Sequence, residues 1–338
     1  MNFSVIRSAG QKWFQMRSKW LLMPAFIAGI ILSFTAAMMF GVENYTLGQV
    51  FSSVFSYEVG DSVSQILYEI RLPRVMAAFL AGLMISIAGL IMQTVTHNDL
   101  SEPSILGINA GANFFIVIGA LLIPTLSFAG MVIGGFIGGL IVGFIILFVT
   151  RFKSPIHLIL AGAGISLFLY ALTDFFVITN NLGQYVAFFT SGGAAGVSLG
   201  QIMIIAPFAV VVIGVLYFLA KELDIFLVGD EMSASLGQNN SLYQVVSLVC
   251  AIMLAGMSVA IVGNIVFLGL LVPHIVKMLV GYMHKYTIIY TGLLGGSLFM
   301  LSDMVARMLN ETPVNAVIAM IGLPFFIYII RQRGRQYA

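Results

Sequence analysis

KELDIFLVGDEMSASLGQNNS, residues 221–241, is the longest polar interruption in a chain that is 60% hydrophobic and 8% charged. Five charged residues fall within it: Lys221, Glu222, Asp224, Asp230 and Glu231. A short helix is expected inside the block. Asp230 suits its N-cap, Glu231 adds negative charge where the helix dipole favours it, and Gly237 suits the position just past its end. Leu227, Val228, Met232 and Leu236 give this element an apolar side. If the flanking segments lie in lipid, that side has no core of its own to join. It then either plugs a socket on another protein or rests on its own membrane domain.

The flanks do read as lipid-embedded. A mean hydropathy of +1.06 and repeated apolar runs describe a polytopic all-α membrane protein, because about 20 apolar residues as a helix cross the hydrocarbon layer. A single transmembrane domain over 1–338 is expected, with ten spans: 21–40, 73–95, 104–123, 128–150, 156–178, 201–220, 242–262, 265–281, 287–308 and 314–330. The first is read as an uncleaved span rather than a signal peptide. The single cysteine, Cys250, lies in an apolar run and excludes a disulfide framework or thiolate cluster.

Charge orients the chain. Arg7, Lys12, Arg17, Lys19, Arg151, Lys153, Lys221, Lys277, Lys285, Arg331, Arg333 and Arg335 fall on one face of the ten-span arrangement, which the positive-inside rule makes cytoplasmic. Both termini and the 221–241 block then lie in the cytoplasm. Arg71, Arg74 and Arg307 remain near external span ends, either as headgroup anchors or as a docking site for carboxylates. Asp303, four residues before Arg307, can pair with it on one helix.

Small residues recur at four-residue spacing: Ala78, Gly82 and Ser86 in the second span, and Gly135, Gly139 and Gly143 in the fourth. They are read as helix contacts rather than ligand sites. Leu80-Ala81-Gly82 with Ile87, Gly89 and Ile91 returns as Leu254-Ala255-Gly256 with Ile261, Gly263 and Ile265. The copies lie five spans apart, in opposite directions across the membrane, so spans 2–5 and 7–10 are expected to form an inverted repeat. A Pro- and Gly-broken stretch follows each copy.

Chemistry is sparse. No GxxxxGK[ST] or HExxH pattern occurs, and the four histidines are scattered. No metal site, cofactor or catalytic residue is expected. Asp174 has no partner in sequence and is the one candidate for ion coupling in a self-sufficient secondary transporter.

RLPRVMAAFLAGLMISIAGLIMQTVTHNDLSEPSILGINAGA (71–112), VGDEMSASLG (228–237), GNIVFLGLLVPHIVKMLVG (263–281) and the ending LSDMVARML…ETPVNAVIAMIGLPFFIYIIRQR resemble the iron-siderophore and vitamin B12 importer permeases, a type II ABC importer family. The resemblance runs from about Arg71 to the C-terminus. It implies a non-catalytic ten-helix permease in the cell membrane of a bacterium. Its implied partners are a second permease subunit, identical or paralogous, two cytoplasmic ATPases and an extracytoplasmic substrate-binding protein. The implied cargo is an iron-siderophore complex, with haem or cobalamin as alternatives. Arg71, Arg74 and Arg307 match positions that dock the binding protein. Asn98 and Leu100 match a cytoplasmic gate, with Ser154 and Pro155 near a second one. Gly229, Asp230, Glu231, Ala234, Leu236 and Gly237 match the element that couples to the ATPase. Asp99 stands where the family has proline, which is expected to loosen the turn beside the gate.

Overall fold

The computed structural model describes residues 22–123, 125–150, 155–183, 192–227 and 240–334. Its helices are α1 (Met23–Met39), α2 (Leu47–Phe55), α3 (Ser62–Val95), α4 (Ile108–Leu122), α5 (Phe128–Thr150), α6 (Pro155–Thr179), α7 (Leu199–Phe218), α8 (Ala220–Phe226), α9 (Asn240–Val262), α10 (Leu268–Val280), α11 (His284–Met308) and α12 (Val314–Gly334). Among the described residues no strand is formed. Among the described residues six helices are long and apolar enough to cross a bilayer: α3, α5, α6, α7, α9 and α11. The apolar α1, α4 and α10, and the apolar part of α12, are shorter.

Residues 41–72, between the first two expected spans, are largely helical. Thr46 and Gln49 close a reciprocal cap on α2, and Asp61 accepts the Val63 and Ser64 N–H groups to start α3. The helix then continues through a wide π turn at Ile66–Arg71 before Leu72-Pro73. Proline has no N–H and its ring crowds the carbonyl four residues back, so a widened turn carries the helix past it.

The inner helices are α3, α9 and α11. Small residues let them meet: a Cβ on Gly82 would strike the Gly295 carbonyl and the Phe299 Cβ. Ser258 donates to the Ala81 carbonyl at 3.0 Å, tying α9 to α3. On α5, Gly135 and Gly139 receive Ile116 and Ile108 of α4, and Gly143 receives Ile252 of α9. The glycine stripes serve helix packing, as their spacing suggests. By contrast α6 and α7 carry apolar side chains outward, Leu167, Phe168, Met203 and Phe208 among them, as helices facing lipid or another subunit do.

Two charged clusters mark the ends of this bundle. Arg74 of α3 meets Asp303 of α11 at one end, and Thr94 of α3 meets His284 of α11 at the other. The twenty residue steps from 74 to 94 rise about 30 Å as a helix, the thickness of a bilayer's hydrocarbon core.

Between the ends lies a polar seam. Each copy of the Leu-Ala-Gly pattern ends in a broken stretch, and each break supplies a left-handed residue that starts a shorter helix. Gly107 (φ 65°) precedes α4, and Phe267 (φ 68°) precedes α10. The third span therefore begins four residues later than expected, at Ile108, and the eighth three residues later, at Leu268.

Candidate functional site

At the Arg74 end, three arginines separated in sequence converge. The Arg74 guanidinium grips two carboxylates: Nε lies 3.0 Å from Asp303 Oδ2, and Nη1 and Nη2 each lie 2.8 Å from Glu311 oxygens. The Asp303 side chain is 1% exposed and that of Glu311 49%, so one pair is internal and the other faces outward. Arg307 contacts the same Asp303 at 3.3 Å and donates to the Ala37 carbonyl at 2.8 Å. Arg71 donates to the carbonyls of Met38 (2.9 Å), Met39 and Glu43 (2.8 Å) and lies over the Tyr45 ring. Two of the three thus satisfy the carbonyls that end α1, where cationic donors also suit the helix dipole. All three arginines are buried, which the reading of them as headgroup anchors or a docking surface did not anticipate. The Asp303–Arg307 pair forms as expected, with Arg74 as its third member.

At the opposite end, the turn after α3 is clasped from two sides. Asn98 Oδ1 accepts the Leu100 N–H at 3.0 Å and the Asn98 carbonyl accepts the Ser101 N–H at 3.0 Å, so an Asx turn forms without the proline. Asp99 pairs with Lys277 Nζ at 3.1 Å, and the same ammonium donates to Gln93 Oε1 at 2.8 Å. The loosened turn expected from Asp99 is therefore not seen: an ion pair to α10 stands in for the proline ring. On the other side His97 lies 3.1 Å from the Phe226 carbonyl of α8, and the His284 ring links Asp224 of α8 to Thr94.

In the seam, Glu102 accepts the Phe267 N–H at 2.8 Å, Asn109 bonds to Asn264, and Asn315 bonds to the Asn264 carbonyl at 2.8 Å and to the Val266 N–H. Burial pushes the Glu102 carboxyl, in the loop between α3 and α4, up to about 7, with the Phe267 N–H opposing the shift. The folded protein then holds this proton more tightly than the unfolded chain does. Its contribution is present below the ordinary value of 4.5 and is lost as pH rises through about 7. Glu102→Gln keeps an oxygen for Phe267 and removes the buried charge. It should melt a few degrees above the parent at pH 8, with the gap closing toward pH 4.5, as followed by thermal unfolding in detergent.

The FecCD transport family profile matches residues 29–332. The chain belongs to this family. The FecCD match takes in both charged ends and the seam. Among its relatives are the iron(3+)-hydroxamate import system permease protein FhuB of Bacillus subtilis (strain 168), 32% identical over 91% of this chain and 83% of that protein. Another is the Fe(3+)-citrate import system permease protein YfmD of the same organism, 34% identical over 94% and 97% of the two chains. A solved inward-facing metal-chelate type ABC transporter superposes with a TM-score of 0.77 at 27% identity, covering 91% of this chain and 99% of that one.

Of the residues singled out in this FecCD chain, the structure gathers Arg71, Arg74 and Arg307 at one end and places Asn98 and Leu100 at the other. Pro155 is the first residue of α6, while Ser154 and the coupling positions Gly229, Asp230, Glu231, Ala234, Leu236 and Gly237 lie outside the described residues. Asp174 is exposed on α6. Sequence reasoning missed Lys277, Asp224 and His284 as partners of the turn after α3, and Glu311 as a partner of Arg74. These contacts join residues 60 to 237 positions apart. The only local signal was that a His or Lys stood beside a predicted span end.

Proposed function

We propose that this chain is the membrane permease of an ABC importer that carries an iron-siderophore complex across the bacterial cytoplasmic membrane, powered by separate ATPase subunits. The observation that carries this reading is the family match over 29–332, joined to near full-length relatives whose names specify ferric hydroxamate and ferric citrate import. The ten apolar helices would be ten spans, with the Lys277 end and both termini in the cytoplasm. Lys221, Lys277 and Lys285 support that orientation, because all three belong to the end where the turn after α3 meets α8 and α10. The left-handed residues that start α4 and α10 support the inverted repeat.

In this reading Asn98 and Leu100 form a gate, and the block holding Gly229 to Gly237 meets the ATPase. Ser154 and Pro155 belong to a second gate. A second permease subunit and lipid cover the apolar faces of α6 and α7. The binding protein docks over the Arg71–Arg74–Arg307 cluster, where Glu311 is the carboxylate nearest the surface. A docking carboxylate would reach Arg74 by displacing Glu311, since the inner face of that guanidinium is held by Asp303. The ion-coupled alternative relied on Asp174, whose exposed position offers no enclosed site.

The test is uptake into vesicles holding the permease with its ATPases and binding protein. The panel is ⁵⁵Fe-labelled ferric hydroxamate, ferric citrate and ferric catecholate, with haem and cobalamin alongside. ATP-dependent accumulation of a ferric chelate is expected, and it should stop when hydrolysis is blocked. Accumulation of haem or cobalamin alone would overturn the cargo assignment. Uptake by the chain without ATPases would overturn the mechanism.

A further inference from the structure

Helix α8, Ala220–Phe226, forms the first part of the polar 221–241 block, and two polar contacts join it to the end of α3. Asp224 Oδ1 accepts the His284 backbone N–H and lies 2.7 Å from His284 Nδ1. His284 Nε2 lies 2.8 Å from Thr94 Oγ1, whose own hydroxyl is 2.9 Å from the Leu90 carbonyl. A carboxylate only accepts, so Nδ1–H donates to Asp224, and the ring bridges that carboxylate to the Thr94 hydroxyl. His284 and Thr94 are each 1% exposed. The second contact is His97, whose ring lies against Phe226 and whose Nε2 meets the Phe226 carbonyl.

Apolar packing would hold α8 against α3 at least as well as a buried charged chain does. What the chain adds is direction: three charge-assisted or hydroxyl bonds fix α8 against the last turn of α3 and resist sliding. That turn continues into Asn98 and Leu100.

We propose that Asp224, His284 and Thr94 are positioning residues that carry movement of the 221–241 block to the turn at 97–100. This rests on the reading that the block meets the ATPase and that the turn is a gate. The experiment uses the complete transporter in vesicles, with Leu100→Cys as reporter because Leu100 is 44% exposed. The rate of labelling by a membrane-impermeant maleimide is measured without nucleotide and with ATP and vanadate.

A nucleotide-dependent change is expected in the reporter background. Thr94→Val is nearly isosteric and lacks the hydroxyl, and Asp224→Ala removes the outer partner at a partly exposed position. Each should shrink the change about tenfold, the scale of one lost buried hydrogen bond. Thr94→Ser restores the hydroxyl and should restore the response. A purely structural role would lower the melting temperature and leave the nucleotide response intact. Full response in Thr94→Val or in Asp224→Ala overturns the relay alone. A reporter that never responds to nucleotide overturns the relay together with the gate reading.

Discussion

Arg74→Glu is expected to leave the protein unable to hold its fold. The arginine is ion-paired with both Asp303 and Glu311, and the inner pair is buried. Removing one partner of a buried pair typically costs about 3–5 kcal/mol, because the other charge is left without compensation. Glutamate is worse than removal, since it sets a third carboxylate against two. Arg307 cannot make up the loss: its contact with Asp303 is longer, and one of its Nη groups is committed to the Ala37 carbonyl. Arg74→Lys should be intermediate, because an ammonium cannot reproduce the forked grip on two carboxylates. Glu311→Gln should cost only about 0–1 kcal/mol, as exposed pairs do. Size-exclusion profiles and thermal unfolding in detergent test this order. An Arg74→Glu protein that melts within a few degrees of the parent would show that the cluster does not hold α3 to α11. The same burial changes how docking should be probed. Reversing the arginines confounds binding with folding, so Glu311 is the position at which charge can be varied safely.

The membrane class, the places of the apolar helices and the packing role of the glycine stripes were legible because they depend on local pattern. Hydropathy runs of 15 to 25 residues and four-residue spacing survive in any tertiary context. Asp303 and Arg307 were legible for the same reason, being one turn apart. The helices within 41–72 were not legible because the decisive features are caps and a π turn, which leave a weak composition signal. The arginine cluster was half legible. The charge census singled out its three members but could not tell an outward guanidinium from one turned onto the carbonyls of α1. The contact that holds Asp99 was not legible, since Lys277 lies 178 residues away. Long-range pairing of that kind has no period and no spacing to betray it.

Gly89→Val should abolish the folded state, and Gly89→Ala should impair it severely. Here α3 and α10 touch backbone to backbone: a Cβ on Gly89 would fall inside the Gly269 carbonyl group. The clash cannot be relieved by a side chain swinging aside, because the three nearest atoms all belong to the Gly269 backbone. Nor can α10 retreat freely. Gly269 is itself lodged between the Ile85 carbonyl and Pro103, and Gln93 one turn further along α3 donates to the Gly269 and Leu270 carbonyls at 3.4 and 3.3 Å. Overpacking a tight core typically costs about 1–3 kcal/mol, and the backbone contact places Gly89→Ala at or above the top of that range. Separating the helices would also pull Lys277 away from Gln93 and Asp99, so the turn that carries Asn98 and Leu100 should loosen with them. Gly214→Ala on α7 is the control. Its added Cβ meets nothing within 4 Å, and alanine favours the helix by about 1 kcal/mol over glycine, so it should melt at or above the parent. The measurement is the melting temperature and monodisperse yield of the three variants purified side by side. Equal stability of Gly89→Val and Gly214→Ala would mean that α3 and α10 do not cross at these two glycines.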